Sequence, residues 1–195
     1  MVYDLGAHAV RRASPRHGDR ILVVGAGPIG IGCMLFAGLQ GGSVTALDLR
    51  QDRLDFCRKQ LGVDNVVVGG AGAIETLSAL TAGDFFDIVI DATGNAKSMM
   101  AGLNYVAHGG TYVLVSVVRD TICFPDPEFH KRETTLMGSR NATREDFSKV
   151  FDAMREGRVP TDALITHRVA LEEAPANFPL WIKPEAGVIK ALIEI

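Results

Sequence analysis

Cysteine is scarce and poorly placed for chemistry. Cys33, Cys57 and Cys123 are the only three in 195 residues, and no two form a C-x-x-C pair. An odd, widely spaced set does not build a secreted disulfide framework. Each reads instead as a small buried or half-buried apolar residue. Charge of one sign is also lacking: 20 Lys and Arg face 23 Asp and Glu, for a net charge of −3. The chain therefore carries no electrostatic footprint for nucleic acid or an anionic membrane. No apolar run reaches the ~18 residues that a membrane span requires. Arg11-Arg12 leads into Ala13-Ser14-Pro15-Arg16-His17-Gly18, where a twin-arginine signal would need an apolar segment. The expected location is the cytoplasm. Among His8, His17, His108, His130 and His167 there is no helical i, i+4 pair and no adjacent cysteine, so they predict no metal site. His108 precedes a Gly-Gly turn and is expected to be exposed.

What the sequence does have is alternation. Hydrophobic residues make up 47% of the chain, enough for a sizeable core without disulfides or a structural metal. Short β-branched runs recur at Ile21–Val24, Ser43–Leu47, Val66–Val68, Ile88–Ile90, Thr111–Val115 and Thr134–Met137. They are apolar on both faces and bounded by Gly, Asp or Asn, the pattern of strands covered by helices on both sides. Helical periodicity fills the gaps at Ile29–Gln40, Asp52–Leu61, Ile74–Ala82 and Lys97–Val106. Gly41-Gly42 and Gly62 fall where helices must stop. The prediction is an α/β Rossmann fold: a doubly wound parallel sheet of about six strands with helices on both faces. After Gly138 the pattern changes. Thr143–Arg155 reads as a helix capped by Thr143, with Asp146 three residues on. Ile165–Val169 reads as a strand, Leu171–Phe178 as a short helix and Val188–Ile195 as a closing strand. Residues 1–160 are thus assigned to the Rossmann domain and 161–195 to a separate C-terminal segment.

The main chemical signal is Gly25-Ala26-Gly27-Pro28-Ile29-Gly30, which ends a buried strand and opens a helix. Gly25 permits the tight turn, Gly27 lets backbone approach a pyrophosphate, and Gly30 lets helix and strand pack closely. Pro28 suits the first helical turn, where its missing N–H costs nothing, and the free N–H groups of that turn from Ile29 on face an incoming phosphate. Asp48 lies eighteen residues past Gly30, at the end of the second strand. A carboxylate there accepts from adenosine ribose hydroxyls and repels a 2′-phosphate, favouring NAD over NADP. Arg50 and Arg53 act the other way, because a guanidinium can pair with that phosphate. Asp48 can also be read as a simple helix cap. The loops Asp91–Asn95 and Val115–Val117 sit at strand carboxyl ends, as turns or as cofactor contacts.

These motifs, together with Ala7-His8-Ala9-Val10-Arg11-Arg12 and His108-Gly109-Gly110-Thr111, resemble the zinc-containing medium-chain dehydrogenases of the sorbitol-dehydrogenase-like branch. Phe124–Lys131 and Met137–Asn141 look closer still to L-galactonate dehydrogenases. The resemblance implies that Asp48 and Arg53 hold the adenosine ribose, and that Thr93, Val115 and Ser139 line the nicotinamide side. It implies that Thr121–Phe124 and Thr134–Gly138 pair subunits into a homodimer or homotetramer. Residues 161–195 would return to a catalytic domain that this sequence lacks. The zinc of full-length members takes ligands from that domain, with a further acidic ligand close to Met1, so no zinc and no catalytic residue are expected in this chain. The implied cofactor is NAD and the implied substrate an alcohol, polyol or sugar acid.

Rival readings differ in kind. A short-chain dehydrogenase needs Tyr-x-x-x-Lys, but Tyr3, Tyr105 and Tyr112 are followed four residues on by Ala7, Gly109 and Ser116. An S-adenosylmethionine methyltransferase also uses a glycine loop and an acidic residue after its second strand. A non-catalytic NAD-binding or dimerisation module would bind cofactor without turnover.

Overall fold

The computed structural model describes residues 2–195, apart from the side chains of Val2 and Pro184. Met1, near which the further acidic ligand was expected, lies outside the described residues. The chain divides into two compact units, residues 1–151 and 152–195. That division falls ahead of the residue-160 boundary read from the sequence.

The first unit is built on a parallel sheet of six strands in the order β3-β2-β1-β4-β5-β6. The strands are β1 (Arg20–Val24), β2 (Ser43–Asp48), β3 (Asn65–Val68), β4 (Phe86–Asp91), β5 (Val106–Leu114) and β6 (Thr135–Gly138). Between them run α2 (Pro28–Leu39), α3 (Gln51–Leu61), α4 (Ala73–Leu80), α5 (Ala96–Gly102) and α6 (Asp126–Lys131). β1 to β3 progress one way and β4 to β6 the other. Right-handed crossovers therefore put the two sets of helices on opposite faces, and the direction reverses between β1 and β4. The central strands β1, β4 and β5 are buried as expected, with Leu22, Val23, Val89 and Val113 fully covered, whereas the edge strands β3 and β6 leave Val68 and Leu136 exposed. Leu77, Phe86, Leu103 and Tyr112 pack into the same core as Leu22 and Val89. Burying each such side chain contributes about 1.5–3 kcal/mol.

Two features depart from the predicted spans. The helix expected over Lys97–Val106 stops at Gly102 and passes through one 3-10 turn, Leu103–Tyr105. Gly102 lies against Tyr112, where an added Cβ would meet the phenol oxygen. β5 starts at Val106, earlier than Thr111, and slips register between the pairs Phe86–Val106 and Ile88–Thr111. The Gly109 backbone (φ +73°) accommodates that slip, and His108 beside it is exposed.

The stretch Ala7–Arg12 belongs to a helix that periodicity had not revealed, α1 (Val2–Ala13). It crosses α2 at two glycines: a Cβ on Gly6 would run into the Gly32 backbone.

The second unit begins inside α7 (Arg144–Arg155) and continues with α8 (Thr161–Leu164), β7 (Ile165–Ala170), α9 (Ala174–Trp181) and β8 (Lys190–Glu194). β7 and β8 pair in parallel as a sheet of two strands. Phe178, Leu180, Ile182 and Ile193 expose large apolar surface around Trp181 and this sheet. Among the described residues, no helix is long and apolar enough to cross a membrane.

Candidate functional site

Strand register sets the site. Val24 pairs with Leu47 on one side and with Asp91 on the other, so β1, β2 and β4 end level with one another. Backbone bonds continue the ladders one step further. Gly25 N–H donates to Leu47 O (2.7 Å), Ala92 N–H to Val24 O (2.9 Å) and Val115 N–H to Asp91 O (3.0 Å). Ser139 N–H donates in the same way to Leu114 O (2.8 Å). The residues that follow each strand therefore form one rim at the carboxyl edge, where ligands of open α/β sheets bind.

A cleft of about 590 Å³ opens on that rim across the β1/β4 reversal. One wall is Gly25 and Gly27. A second is Asp48, Leu49, Arg50 and Arg53, with Gly69 and Gly70 beyond. The third is Ala92, Thr93, Asn95 and Ser98, backed by Tyr105.

The three glycines of the loop have separate steric roles. Gly25 adopts φ +98°, where a side chain is strained, and a Cβ there would press on Thr93 N at 3.2 Å. A Cβ on Gly30 would run into Gly25 O, so only hydrogen lets α2 start so close to the loop. Gly27 differs: among the described residues, no atom beyond its two chain neighbours lies within 4 Å of an added Cβ. The space over Gly27 is open cleft, at the N-terminus of a twelve-residue helix with Pro28 in its first turn. Unpaired N–H groups and the helix dipole favour an anion there. Pro28 and Ile29 are half-buried in that first turn, beside rather than among the cleft-lining residues.

Asp48 joins the first two walls. Its Oδ2 accepts from Ala26 N–H (2.6 Å) and its Oδ1 from Arg50 N–H (2.8 Å). It thereby fastens the glycine loop to the end of β2, while the cap position of α3 falls at Arg50. Each oxygen takes one protein donor and keeps lone-pair capacity for another. Arg50 is committed elsewhere, to a two-pronged pair with Asp52 (3.0 and 2.6 Å). Arg53 lines the cleft, and burial together with the Arg50 charge lowers its pKa from the ordinary arginine value.

Of the residues expected on the nicotinamide side, Thr93 lines the cleft. Val115 and Ser139 follow β5 and β6 on the same rim, outside the lining of this cleft. Ser139 is buried and its hydroxyl has no hydrogen-bond partner among the described residues.

Residues 28–156 match the family model described as zinc-binding dehydrogenase. The chain belongs to that family. An L-galactonate-5-dehydrogenase of Escherichia coli K12 is 43% identical over 191 residues, covering 98% of this chain and 56% of the relative. A D-xylulose reductase A of Aspergillus niger is 31% identical over 180 residues, covering 90% of this chain and 50% of the relative. Among solved structures, an alcohol dehydrogenase from E. coli CFT073 complexed with NADH superposes with a TM-score of 0.90 at 20% identity. It covers all of this chain, which spans 57% of it. The chain thus spans about half the length of the relatives it matches.

The open space over Gly27, the N-terminus of α2 and the Asp48 carboxylate suit a dinucleotide. Among the described residues no three His, Cys, Asp or Glu side chains converge to hold a metal ion.

One polar cluster escaped the sequence reading of function. His8 and Arg11 on α1 reach the fully buried Asp146, whose Oδ2 is 2.7 Å from His8 Nδ1 and whose Oδ1 accepts from Arg11 Nε at 2.6 Å. Thr143 N–H and Oγ also donate to Oδ2, at 2.8 and 2.7 Å. Burial would raise the Asp146 pKa, but the bonds from Arg11, Thr143 and His8 outweigh it and hold the carboxyl well below the usual range. Thr143 was legible as a helix start. Nothing local signalled partners more than 130 residues away.

Proposed function

We propose that this chain is the NAD-binding half of a zinc-dependent dehydrogenase that transfers a hydride between NAD and a secondary alcohol of a polyol or sugar acid. The observation that carries the proposal is the Asp48 bridge: one carboxylate holds the glycine loop and faces the cleft at the sheet's reversal point. Gly25, Gly27 and the first N–H groups of α2 at Ile29 and Gly30 would cradle the pyrophosphate. Asp48 would accept from the adenosine ribose with Arg53 alongside. Thr93, Val115 and Ser139 would border the nicotinamide. Bound NAD supplies the hydride acceptor; the protein's part is to orient it. The L-galactonate-5-dehydrogenase relative supports a sugar acid as substrate class.

Engagement of Arg50 by Asp52 favours NAD over NADP, since it withdraws a cation that could meet a 2′-phosphate. The apolar surface around Trp181 supports residues 161–195 packing against the half that the relatives possess and this chain does not span. β6 is an edge strand with Leu136 exposed, which supports pairing of two copies as a homodimer or within a homotetramer. Three free cysteines, two of them buried, support a cytoplasmic setting.

Calorimetric titration with NAD and NADP tests the reading. NAD is expected to bind saturably and more tightly, with no alcohol oxidation by the chain alone. Asp48→Ser should weaken both cofactors, because the loop loses its fastening, and should also narrow their ratio. Absence of saturable binding to either cofactor would make the chain a scaffold; an unchanged ratio would return Asp48 to a purely structural role.

A further inference from the structure

The buried charge at the base of the third wall has no part in the scheme above. Asp91 ends β4 and is fully buried. Its Oδ1 accepts from Thr93 N–H (2.9 Å) and Thr93 Oγ (2.7 Å), and its Oδ2 from Ser98 Oγ (2.8 Å). The network runs on. Thr93 Oγ accepts from Asn95 N–H (3.1 Å), and Asn95 Oδ1 accepts from Ser98 N–H (3.1 Å) to cap α5. Four residues after Asp91, namely Ala92, Thr93, Asn95 and Ser98, line the cleft.

Burying a carboxylate is costly unless hydrogen bonds satisfy it, and an apolar residue would end a buried strand more cheaply. The fold therefore gains little from this charge, whereas the loop gains its shape. The loop also abuts the phosphate loop, since Thr93 N and Cγ2 both come within 3.2 Å of where a Gly25 Cβ would stand. A shift of Thr93 would change both walls.

We infer that Asp91 is a positioning residue for the dinucleotide: its carboxylate presets the Ala92–Ser98 loop in the binding shape without touching the cofactor. The inference rests on the cleft being the dinucleotide site. Burial raises the Asp91 pKa, opposed by the bonds from Thr93 and Ser98. A protonated Asp91 would offer a hydrogen where the loop needs an acceptor.

The test compares Asp91→Ala with Asp91→Asn by NAD titration at 10 °C, alongside melting temperatures and amide exchange. Ordering a freed side chain on binding costs roughly three- to ten-fold in affinity. Asp91→Ala frees Thr93 and Ser98 together, so its loss should be about ten-fold or more. Asp91→Asn should restore binding to within about three-fold, because its Oδ1 accepts from Thr93 N–H and its Nδ2–H donates to Ser98 Oγ. A purely structural role would lower the melting temperature of Asp91→Ala with NAD affinity unchanged, and that overturns the inference. Should Asp91→Ala not fold, Ser98→Ala removes the Oδ2 arm alone. It should then speed amide exchange at Thr93 and Asn95 in the free protein, and unchanged exchange would refute the positioning role. The two readings fail separately. If the wild type does not bind NAD, the cleft assignment falls. If the wild type binds, Gly27→Val does not, and Asp91→Ala matches wild type, only the Asp91 inference falls.

Discussion

Gly27 and Gly30 belong to one motif but answer to different constraints, and a paired substitution separates them. At Gly27 the backbone is extended (φ −76°, ψ 178°), which any residue adopts, and an added Cβ meets no atom of the described residues within 4 Å beyond its chain neighbours. Gly27→Val should therefore fold. Valine is a poorer helix cap than glycine by about 1 kcal/mol, which lowers the melting temperature by about 2–4 °C in a chain of this size. Its methyls, however, fill the space over the first turn of α2. Losing two charge-assisted backbone hydrogen bonds at about 1.5–3 kcal/mol each removes at least ~3 kcal/mol of binding, or ~100-fold in NAD affinity. At Gly30 the added Cβ collides with Gly25 O, and both partners are backbone that cannot rotate away. Gly30→Ala should cost about 1–3 kcal/mol through overpacking, about 2–12 °C in melting temperature, and should weaken NAD as well. Calorimetric titration and thermal melts of the two variants provide the comparison. Gly27→Val binding NAD within three-fold of wild type would refute the placement of the pyrophosphate. Gly30→Ala melting with wild type would refute the packing argument.

Two further outcomes concern the rest of the first unit. Asp146→Asn should cost about 3 kcal/mol, because it removes the charge facing Arg11 and turns one of two acceptor oxygens into a donor at a buried site, and thermal melts would register it. The folded-state pKa of Asp146 is depressed, so the stability it contributes is present above the ordinary carboxylate value of ~3.9 and is lost as the pH falls below it. The gap between wild type and Asp146→Asn should accordingly begin to narrow as the pH falls below ~3.9 and close only below the depressed folded value; a constant gap from pH 7 to 3 would refute the assignment. Thiol labelling should be selective: Cys123 is exposed, whereas burial pushes the Cys33 and Cys57 thiols up to about 12. One thiol should react promptly in the native chain and three after unfolding; prompt reaction of all three would mean that α2 and α3 do not pack as described.

The fold was legible because its signals are local. A buried parallel strand shows itself in a few β-branched residues, and Gly41-Gly42 and Gly62 punctuate the helices between strands. α1 was missed because its apolar positions, Tyr3, Ala7 and Val10, are interrupted by buried Asp4 and His8. A polar residue on a core face reads as a break in the pattern unless its partner is known, and the partner of His8 is Asp146. The start of β5 was missed for a related reason. His108-Gly109-Gly110 looks like a turn, and only pairing with β4 turns it into a slipped register within a strand.

The site divides along the same line. Gly25, Gly27, Gly30 and Asp48 were legible because their spacing follows one strand–helix–strand unit, whose geometry fixes where the acidic residue emerges. The loops of Thr93 and Val115 were legible only as strand-end turns or cofactor contacts, and their nicotinamide role, like that of Ser139, came from resemblance, since no local pattern measures the distance between the ends of β1, β4, β5 and β6. Register supplies that distance. Val24 pairs with Asp91, Asp91 with Leu114 and Leu114 with Gly138, so Ala92, Val115 and Ser139 emerge in a row although they are far apart in sequence. A one-residue slip of β4 against β1 would place Thr93, rather than Ala92, beside Gly25 and would turn the Asp91 side chain to the other face of the sheet. The network from Asp91 to Thr93 and Ser98 lies wholly within residues 91–98. Its bonds give the third wall its shape, and the β1–β4 register decides where that wall stands.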